Sequence, residues 1–316
     1  MTLNNDTMGV DTHDMVIVGA GPAGLTAGMY AARNKQDVVL LEKISPGGQV
    51  LNTDWVENYS GFPEGISGFE LMDRMKAQAE QFGLTILNHE VQDADLQGPE
   101  KHLVVDSGSL NARCVILAPG AQPRKLGIEG ESRLMGKGVS YCGTCDGPFY
   151  RNADVAVIGG GDTAVEEALF LTRFAKLVYV VHRRDELRAT KILQDRAFAN
   201  KKIRFVWDTL PIRIEGEKGV EALWVKNVKT GEKTSLEVEG VFIFVGTRPV
   251  TEFLNGGVDL DEQGFIKVNR RQQTNIPGVF AAGDVTSEAF RQIATAVGEG
   301  ASAALHAEKY LETLKH

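Results

Sequence analysis

The stretch "MVIVGAGPAGLTAGMYAARN", Met15 to Asn34, decides the fold. Its apolar start, Met15 to Val18, reads as a buried strand, and Gly19, Gly21 and Gly24 follow at G-x-G-x-x-G spacing. Pro22 suits the first turn of a helix, where its missing N–H costs nothing. The alanines and Met29 beyond it predict a helix able to lie close on a sheet. A second strand, "DVVLLE", ends in Glu42, 23 residues after Gly19. Each part has a physical task. The first glycine permits the tight turn, the second lets backbone approach a pyrophosphate, and the third allows close helix–strand packing. The helix start offers free N–H groups and a positive dipole end to phosphates. Glu42 stands about where an acid bonds a ribose 2′-hydroxyl.

The pattern then repeats. In "DVAVIGGGDTAVEEALFLTRFAKLVYVVHRRDELR", Asp154 to Arg188, a strand runs into Gly159, Gly161 and Ala164 in the same slots, and a helix and a second strand follow. Alanine is an accepted third residue. The position equivalent to Glu42 is now His182, followed by Arg183 and Arg184, with Arg188 one turn further on if the segment is helical. A carboxylate at this point accepts bonds from a ribose diol and repels a 2′-phosphate, whereas arginines bind that phosphate with charge-assisted, bidentate bonds. The first unit therefore suits FAD or NAD and the second suits NADPH, against the plainer reading of "HRRDELR" as a solvated charge run. Two such sites on one chain suggest a hydride donor and a bound flavin that receives it. Two more strand-then-glycine segments, "ARCVILAPGA" and "GVFIFVGTRP", lie between and after the units. "TNIPGVFAAGDV" then ends a strand in Gly283 and Asp284. That aspartate could bond the ribityl or pyrophosphate part of a flavin, or cap the next helix.

The composition sets limits. With 316 residues, 43% apolar and 24% charged, the chain has room for two domains with sizeable cores. A net charge of −8 argues against nucleic acid, which needs a basic footprint. The N-terminus "MTLNNDTMGVDTHD" lacks the basic start and apolar run of a signal peptide and reads as a disordered tail, residues 1–14. No run of about 18 apolar residues suggests a membrane span. Three cysteines are too few for a secreted disulfide scaffold, so the cytoplasm is the expected compartment.

Two of those cysteines, Cys142 and Cys145, sit in "SYCGTCDGPFY". A structural zinc site wants four ligands, and no second CxxC accompanies this one; the nearest later histidine is His182, in the phosphate-binding stretch. A passive disulfide suits the cytoplasm poorly. Redox-active dithiol chemistry is the favoured reading. Gly143 and Thr144 leave both sulfurs open, and Asp146 is placed to move a proton as a thiolate forms or leaves, unless "DGP" is simply a turn. Cys114, inside "CVILA", reads as a small buried hydrophobe.

The two glycine-rich units, the CxxC just before the second, "HRRDELR" and "GVFAAGDV" together resemble the low-molecular-weight thioredoxin reductases, over about residues 15–312. The resemblance implies an α/β fold of two Rossmann-like, doubly wound, three-layer nucleotide-binding domains, the second inserted into the first. Residues 15–118 and 247–316 would form a discontinuous FAD-binding domain, and residues 119–246 an NADPH-binding domain carrying the CxxC. A homodimer is implied as well.

Carried over, Gly19, Gly21, Pro22, Ala23 and Glu42 would hold the FAD adenosine and pyrophosphate. Gly48 and Gln49 of "PGGQV", Asn58 of "VENYSG", Gly120, Gly283, Asp284, Arg291, Gln292 and Ile293 match flavin-contacting positions. Gly159, Gly161, Asp162, Thr163, Arg183, Arg184 and Arg188 match NADPH contacts. By the same resemblance Cys145 is the sulfur next to the flavin, Cys142 attacks the disulfide of thioredoxin, and Asp146 is the acid/base. Rotation of the NADPH domain would let nicotinamide and disulfide take turns.

Two departures stand out. The usual "ATG" reads Ala118-Pro119-Gly120, and one of two phenylalanines after "CDG" is Pro148, beside Phe149. Phe149, Arg74 and Lys137 are the expected partner grip. A flavin reductase serving another disulfide carrier is the nearest rival, though the kind found in alkyl hydroperoxide systems has an N-terminal thioredoxin-like module that a first glycine motif at Gly19 leaves little room for. A dithiol oxidase and a non-catalytic sensor of FAD and NADPH are the remaining alternatives.

Overall fold

The computed structural model describes residues 11–53, 55–287 and 290–315. The apolar run at Met15–Val18 is the end of a longer strand, β1 (Asp11–Val18), which leads into α1 (Pro22–Arg33) and β2 (Val38–Leu41). Residues 11–14, expected in the tail, are strand instead. Asp11, Thr12 and His13 pair in parallel with Leu110, Asn111 and Ala112 of a ten-residue strand that extends the ladder past the apolar run.

The chain continues through α2 (Gly68–Gln81), β3 (Thr85–Leu87), β4 (Val91–Asp95), β5 (Lys101–Val105) and β6 (Gly108–Leu117). Ser67 caps α2 by accepting from the Glu70 N–H at 3.1 Å. The strand order is β3-β2-β1-β6-β5-β4, with the first four parallel and the last two added as an antiparallel meander. Ribbon strand β7 (Ala121–Pro123) follows.

Next come β8 (Val139–Ser140), α3 (Gly143–Asp146), β9 (Asp154–Ile158), α4 (Asp162–Leu171), β10 (Leu177–Val181), α5 (Lys191–Ala199) and β11 (Ile203–Val206). A meander of β12 (Thr209–Glu215), β13 (Ala222–Asn227) and β14 (Lys233–Glu237) precedes β15 (Gly240–Ile243). The order β11-β10-β9-β15-β8 makes a second, all-parallel sheet, and β12-β13-β14 a separate antiparallel one. Finally β16 (Thr247–Pro249) pairs with β7, β17 (Val279–Ala281) joins β6 in parallel, and α6 (Ile293–Thr313) closes the chain.

These elements divide into two compact units. The first runs to Asn52 and takes in Tyr59–Gln122 and the chain from Arg248 on; the second holds Pro123–Thr247 with the short segment Thr53–Asn58. The crossings thus fall at 122/123 and 247/248, inside the β7–β16 ribbon, where 118/119 and 246/247 were expected.

Alternation along the strands places the cores. In the second unit Val155, Val157, Val178, Val180 and Phe242 pack with Ala164, Ala168 and Leu171 of α4, while Ala156, Ile158, Val181, Val241 and Ile243 pack with Leu223 and Val225 of the meander. Three layers result. In the first unit Val16, Val18, Val39, Leu41, Val115 and Leu117 share a cluster with Leu103 and Val105 of β5. Met15, Ile17, Leu40 and Ile116, the alternate positions, are completely or almost completely buried too.

Helix α6 approaches α1 so closely that a Cβ at Gly300 would lie 2.2 Å from the Ala23 carbonyl oxygen. Gly300→Ala should therefore force the two helices apart and cost about 1–3 kcal/mol, read as a lowered midpoint of thermal or urea unfolding. An unchanged midpoint would mean that this crossing does not constrain the first unit.

Candidate active site

Three places within the two units carry chemistry. The first is the loop between β1 and α1. Gly19, at φ +98°, lies so near the end of β6 that a Cβ there would be 2.3 Å from the Ala118 carbonyl oxygen. Gly24 is held as tightly, its would-be Cβ 1.8 Å from the Gly19 carbonyl oxygen. Gly21 is different. Its φ is −73°, and a Cβ there would meet nothing within 4 Å. Neither backbone nor protein neighbour demands glycine, which leaves space for a ligand as the reason.

Gly48, at φ +59°, sits with its would-be Cβ 3.2 Å from the Gly21 Cα, and the Gly47 N–H donates to the Ala20 carbonyl at 2.8 Å. Gln49 follows in the short 3₁₀ helix Gly48–Asn52. Glu42 accepts from the Ala20 N–H at 2.9 Å and from the Ile44 N–H at 3.1 Å, so its carboxylate also holds the loop. Gly120, at φ +75°, has open space on its Cβ side.

Gly283 packs against the first turn of α1, its would-be Cβ 3.0 Å from Ala23 Cβ, and its N–H donates to Glu299 Oε2 at 2.7 Å. Asp284 does not cap α6. That cap is Gln292, joined with Thr295 in a capping box just ahead of Ile293. Burial raises the Asp284 carboxyl above the usual range, and Arg291, stacked 4.8 Å over the Phe265 ring, opposes the rise. Burial likewise raises Glu299, which sequence reasoning missed. The pattern is that of a buried carboxyl wanting hydroxyl donors, and it fits the sugar-like chain of a flavin dinucleotide. Asn58 falls in the segment grouped with the second unit.

The second place repeats the first. A Cβ at Gly159, φ +148°, would lie 2.5 Å from the Phe244 carbonyl oxygen, just past β15. Gly161, φ −91°, again faces nothing within 4 Å. Asp162 and Thr163 open α4. The His182 ring packs on Gly160, and burial followed by Arg188, Arg184 and Arg183 lowers its pKa. The segment after His182 is a run of bends and not a helix. It hooks back because the Arg188 N–H donates to the Gly160 carbonyl at 2.7 Å and the Thr190 N–H to Asp162 Oδ1 at 2.7 Å. Arg183, Arg184 and Arg188 are thereby exposed beside the glycine loop, and none of the three is in an ion pair among the described residues. Asp185 is taken instead by Lys229, at 2.9 Å.

The third place is the cysteine pair. Cys142 and Cys145 are joined in a disulfide, with Cα atoms 5.3 Å apart. Cys142 is the N-cap of α3, and its Sγ accepts from the Cys145 N–H at 3.2 Å and lies 3.4 Å from Thr144 Oγ1. Ser140 Oγ accepts from the Cys142 N–H at 3.0 Å. The Asp146 N–H donates to the Cys142 carbonyl at 3.2 Å, and the 3₁₀ helix Gly147–Tyr150, with Pro148 at its start, continues the turn. Phe149 is exposed, as is Lys137 in the same unit; Arg74 belongs to the other unit, 5.7 Å over the Phe62 ring. Cys114 is fully buried, and burial holds its thiol far above the usual range.

One residue beside the disulfide escaped sequence reasoning. Glu167 of α4 sets Oε2 against Gly143, where a Cβ would come within 2.2 Å of it. Burial, helped by the charge of Glu166, pushes the Glu167 carboxyl up to about 7, against the pull of the Gly143 and Thr144 N–H groups. A signal existed: Glu167 stands at helical spacing from Ala164, Ala168 and Leu171, all buried, so it shares their stripe.

Comparison with protein families matches residues 13–300 to the pyridine nucleotide-disulphide oxidoreductases. A thioredoxin reductase from Streptomyces coelicolor is 48% identical over 307 residues, 96% of this chain and 95% of its own. A bifunctional thioredoxin reductase/thioredoxin from Mycobacterium leprae is 47% identical, over 95% of this chain and 66% of its own. The crystal structure of thioredoxin reductase from Streptococcus pyogenes superposes with a TM-score of 0.90 at 46% identity, covering 96% of this chain and all of that one. The chain belongs to the pyridine nucleotide-disulphide oxidoreductase family, in its low-molecular-weight thioredoxin reductase branch. It is an oxidoreductase of that type, and its CxxC is closed as a disulfide.

The raised Glu167 carboxyl has a consequence for stability. Its ordinary value is 4.5 and its folded value about 7, so the unfolded chain ionises it first. The contribution is full below the ordinary value and is lost as pH rises through the folded one. Glu167→Gln, neutral throughout, should gain about 1–3 kcal/mol over the parent by about pH 8, with the gap closing toward about pH 5. Melting curves across that range check it; a gap independent of pH would contradict the assignment.

Proposed function

We propose that this chain passes electrons from NADPH through FAD to the Cys142–Cys145 disulfide and on to the disulfide of thioredoxin, working as a homodimer. The observation that carries the reading is the disulfide itself, closed in the same unit as a glycine loop flanked by three exposed arginines. The first unit is the FAD-binding one, with Gly19, Gly21, Pro22, Ala23, Glu42, Gly48, Gln49, Gly120, Gly283, Asp284 and Arg291 as its contacts, and Gln292, Ile293 and Asn58 added from the family pattern. The second unit is the NADPH-binding one, through Gly159, Gly161, Asp162, Thr163, Arg183, Arg184 and Arg188. The open sides of Gly21 and Gly161 support pyrophosphate approach at both loops. Held by these residues, FAD would supply the two-electron chemistry that links hydride from NADPH to reduction of the disulfide.

The residues divide the rest of the work. Cys142, whose Sγ already has the Cys145 N–H and the Thr144 hydroxyl beside it, is the sulfur better supported as a thiolate and attacks the partner's disulfide. Cys145 takes the electrons and closes the disulfide again. Asp146, next in the chain, moves the accompanying proton. Thioredoxin as partner draws support from the relative in which reductase and thioredoxin are one protein. Exposed Phe149 supplies an apolar contact for it.

Anaerobic titration with NADPH, followed by flavin bleaching, tests the whole route. More than one equivalent per flavin is expected, because the disulfide takes a second pair of electrons; bleaching complete at one equivalent would uncouple the cysteines from the cofactor. Arg183→Ala with Arg184→Ala should lose the preference for NADPH over NADH, by about 1.5–3 kcal/mol per charged hydrogen bond removed. An unaltered ratio of kcat/KM values would move phosphate recognition elsewhere.

A further inference from the structure

Gly143 separates the two cysteines together with Thr144, and its glycine has no backbone reason. It is absent from the positive-φ residues, so an L side chain would be tolerated there by the backbone alone. The space a side chain would fill is taken by Glu167 Oε2. That oxygen is buried and meets no donor at full hydrogen-bonding geometry, although the N–H groups of Gly143 and Thr144 are near enough to act on its charge. A carboxyl so placed lies against the two-residue link between the sulfurs, next to Cys142 in the chain and two residues before Cys145. Buried acids without partners are expensive to keep ionised, so they persist where their protonation is used or their space is needed. Here the space is left open by a glycine.

We propose that Glu167 is a positioning residue of the redox centre, which takes up a proton when the Cys142–Cys145 disulfide is reduced and so sets the acidity of the resulting thiols. This rests on the redox role of that disulfide and deepens it. Two electrons break the S–S bond. One sulfur becomes a thiol with one proton, and the other is left as a thiolate. The new negative charge disfavours an ionised carboxylate beside Gly143 and Thr144, and the second proton of the reduction goes to Glu167. The proton then belongs to the carboxyl and the thiolate as a pair, and it returns when the disulfide re-forms. Glu166, on the same helix, adds charge of the same sign; Asp162, at the start of α4, and Asp146, at the end of α3, are the other acids of the two helices that meet here. Asp146 remains the group that meets the reacting sulfurs, and Glu167 acts on them through the backbone between them.

The experiment uses the full-length holoenzyme reduced anaerobically with excess dithiothreitol, which supplies both electrons and both protons as it closes to its own disulfide. Iodoacetamide alkylation of the reduced cysteines is followed across pH in the parent, Glu167→Gln, Glu167→Asp and Gly143→Ala. In Glu167→Gln the neutral amide removes the competing charge. The apparent thiol pKa should fall by about one unit, raising alkylation about tenfold at pH values below it. Gly143→Ala, which pushes the carboxyl away, should shift the profile the same way, and Glu167→Asp should stay closer to the parent.

Infrared difference spectra of the parent, reduced minus oxidised at about pH 8, should gain the carbonyl stretch of a protonated carboxylic acid, and Glu167→Gln should lack that gain. The gain of the band in the parent can be read whether or not the variants fold. Superimposable alkylation profiles in parent and Glu167→Gln, or no carboxylic-acid band on reduction, would overturn the proposal and leave Glu167 as packing. A disulfide that dithiothreitol opens normally, but NADPH does not, would instead fail the electron route while leaving the Glu167 test intact.

Discussion

Both units hang on the same close approach: a strand runs into a glycine at which any Cβ would collide with the carbonyl oxygen past the end of a neighbouring strand. Gly19 meets Ala118, past β6, and Gly159 meets Phe244, past β15. Side chains of any size are excluded at those points, where the chain turns from strand into helix. The central pair of each parallel sheet, β1 with β6 and β9 with β15, is fixed by this contact. The helix that follows starts above the strand ends with its N–H groups toward the open side of Gly21 or Gly161. The open side of the loop is thus a by-product of how the sheet is closed, and the same arrangement occurs twice.

What differs between the units is the charge at the end of the second strand. Glu42 is drawn in by the Ala20 and Ile44 N–H groups, a use of its carboxylate that stiffens the loop before any ligand arrives. His182 is buried against Gly160, and the arginines beyond it are left outside by bonds that involve only backbone or Asp162. An acid held by backbone donors and three exposed cations, none of them in an ion pair among the described residues, put opposite charges at the same point of two otherwise matching loops.

The glycine spacings, the strand-ending Glu42 and the CxxC were legible because each is a local pattern with one physical cause. The stripe Val155, Val157 against Ala156, Ile158 was legible for the same reason, since a strand buried on both faces reads as an apolar run. The start of β1 was not, because the polar residues Asp11 to His13 join the sheet only through the excess length of β6, a partner nearly 100 residues away. The bends after His182 depend on two distant acceptors, the Gly160 carbonyl and Asp162 Oδ1. Glu167 was hidden by its neighbour: two glutamates in succession read as a solvated face, and only the stripe of Ala164, Ala168 and Leu171 separates the half-buried one from the exposed one. Glu299 reaches the Gly283 N–H across a turn whose shape the sequence does not announce.

The ribbon of β7 and β16 carries the chain out of the first unit and back into it side by side. Backbone bonds flank it on both sides, from the Arg124 N–H to the Gly246 carbonyl at 2.9 Å and from the Val250 N–H to the Gly120 carbonyl at 3.0 Å. To the host sheet, the roughly 120 residues between these bonds are equivalent to the tip of a hairpin. A loop of two residues would satisfy the same ends. The ancestral event such a join permits is the growth of one turn into a whole nucleotide-binding fold, with no strand of the host displaced.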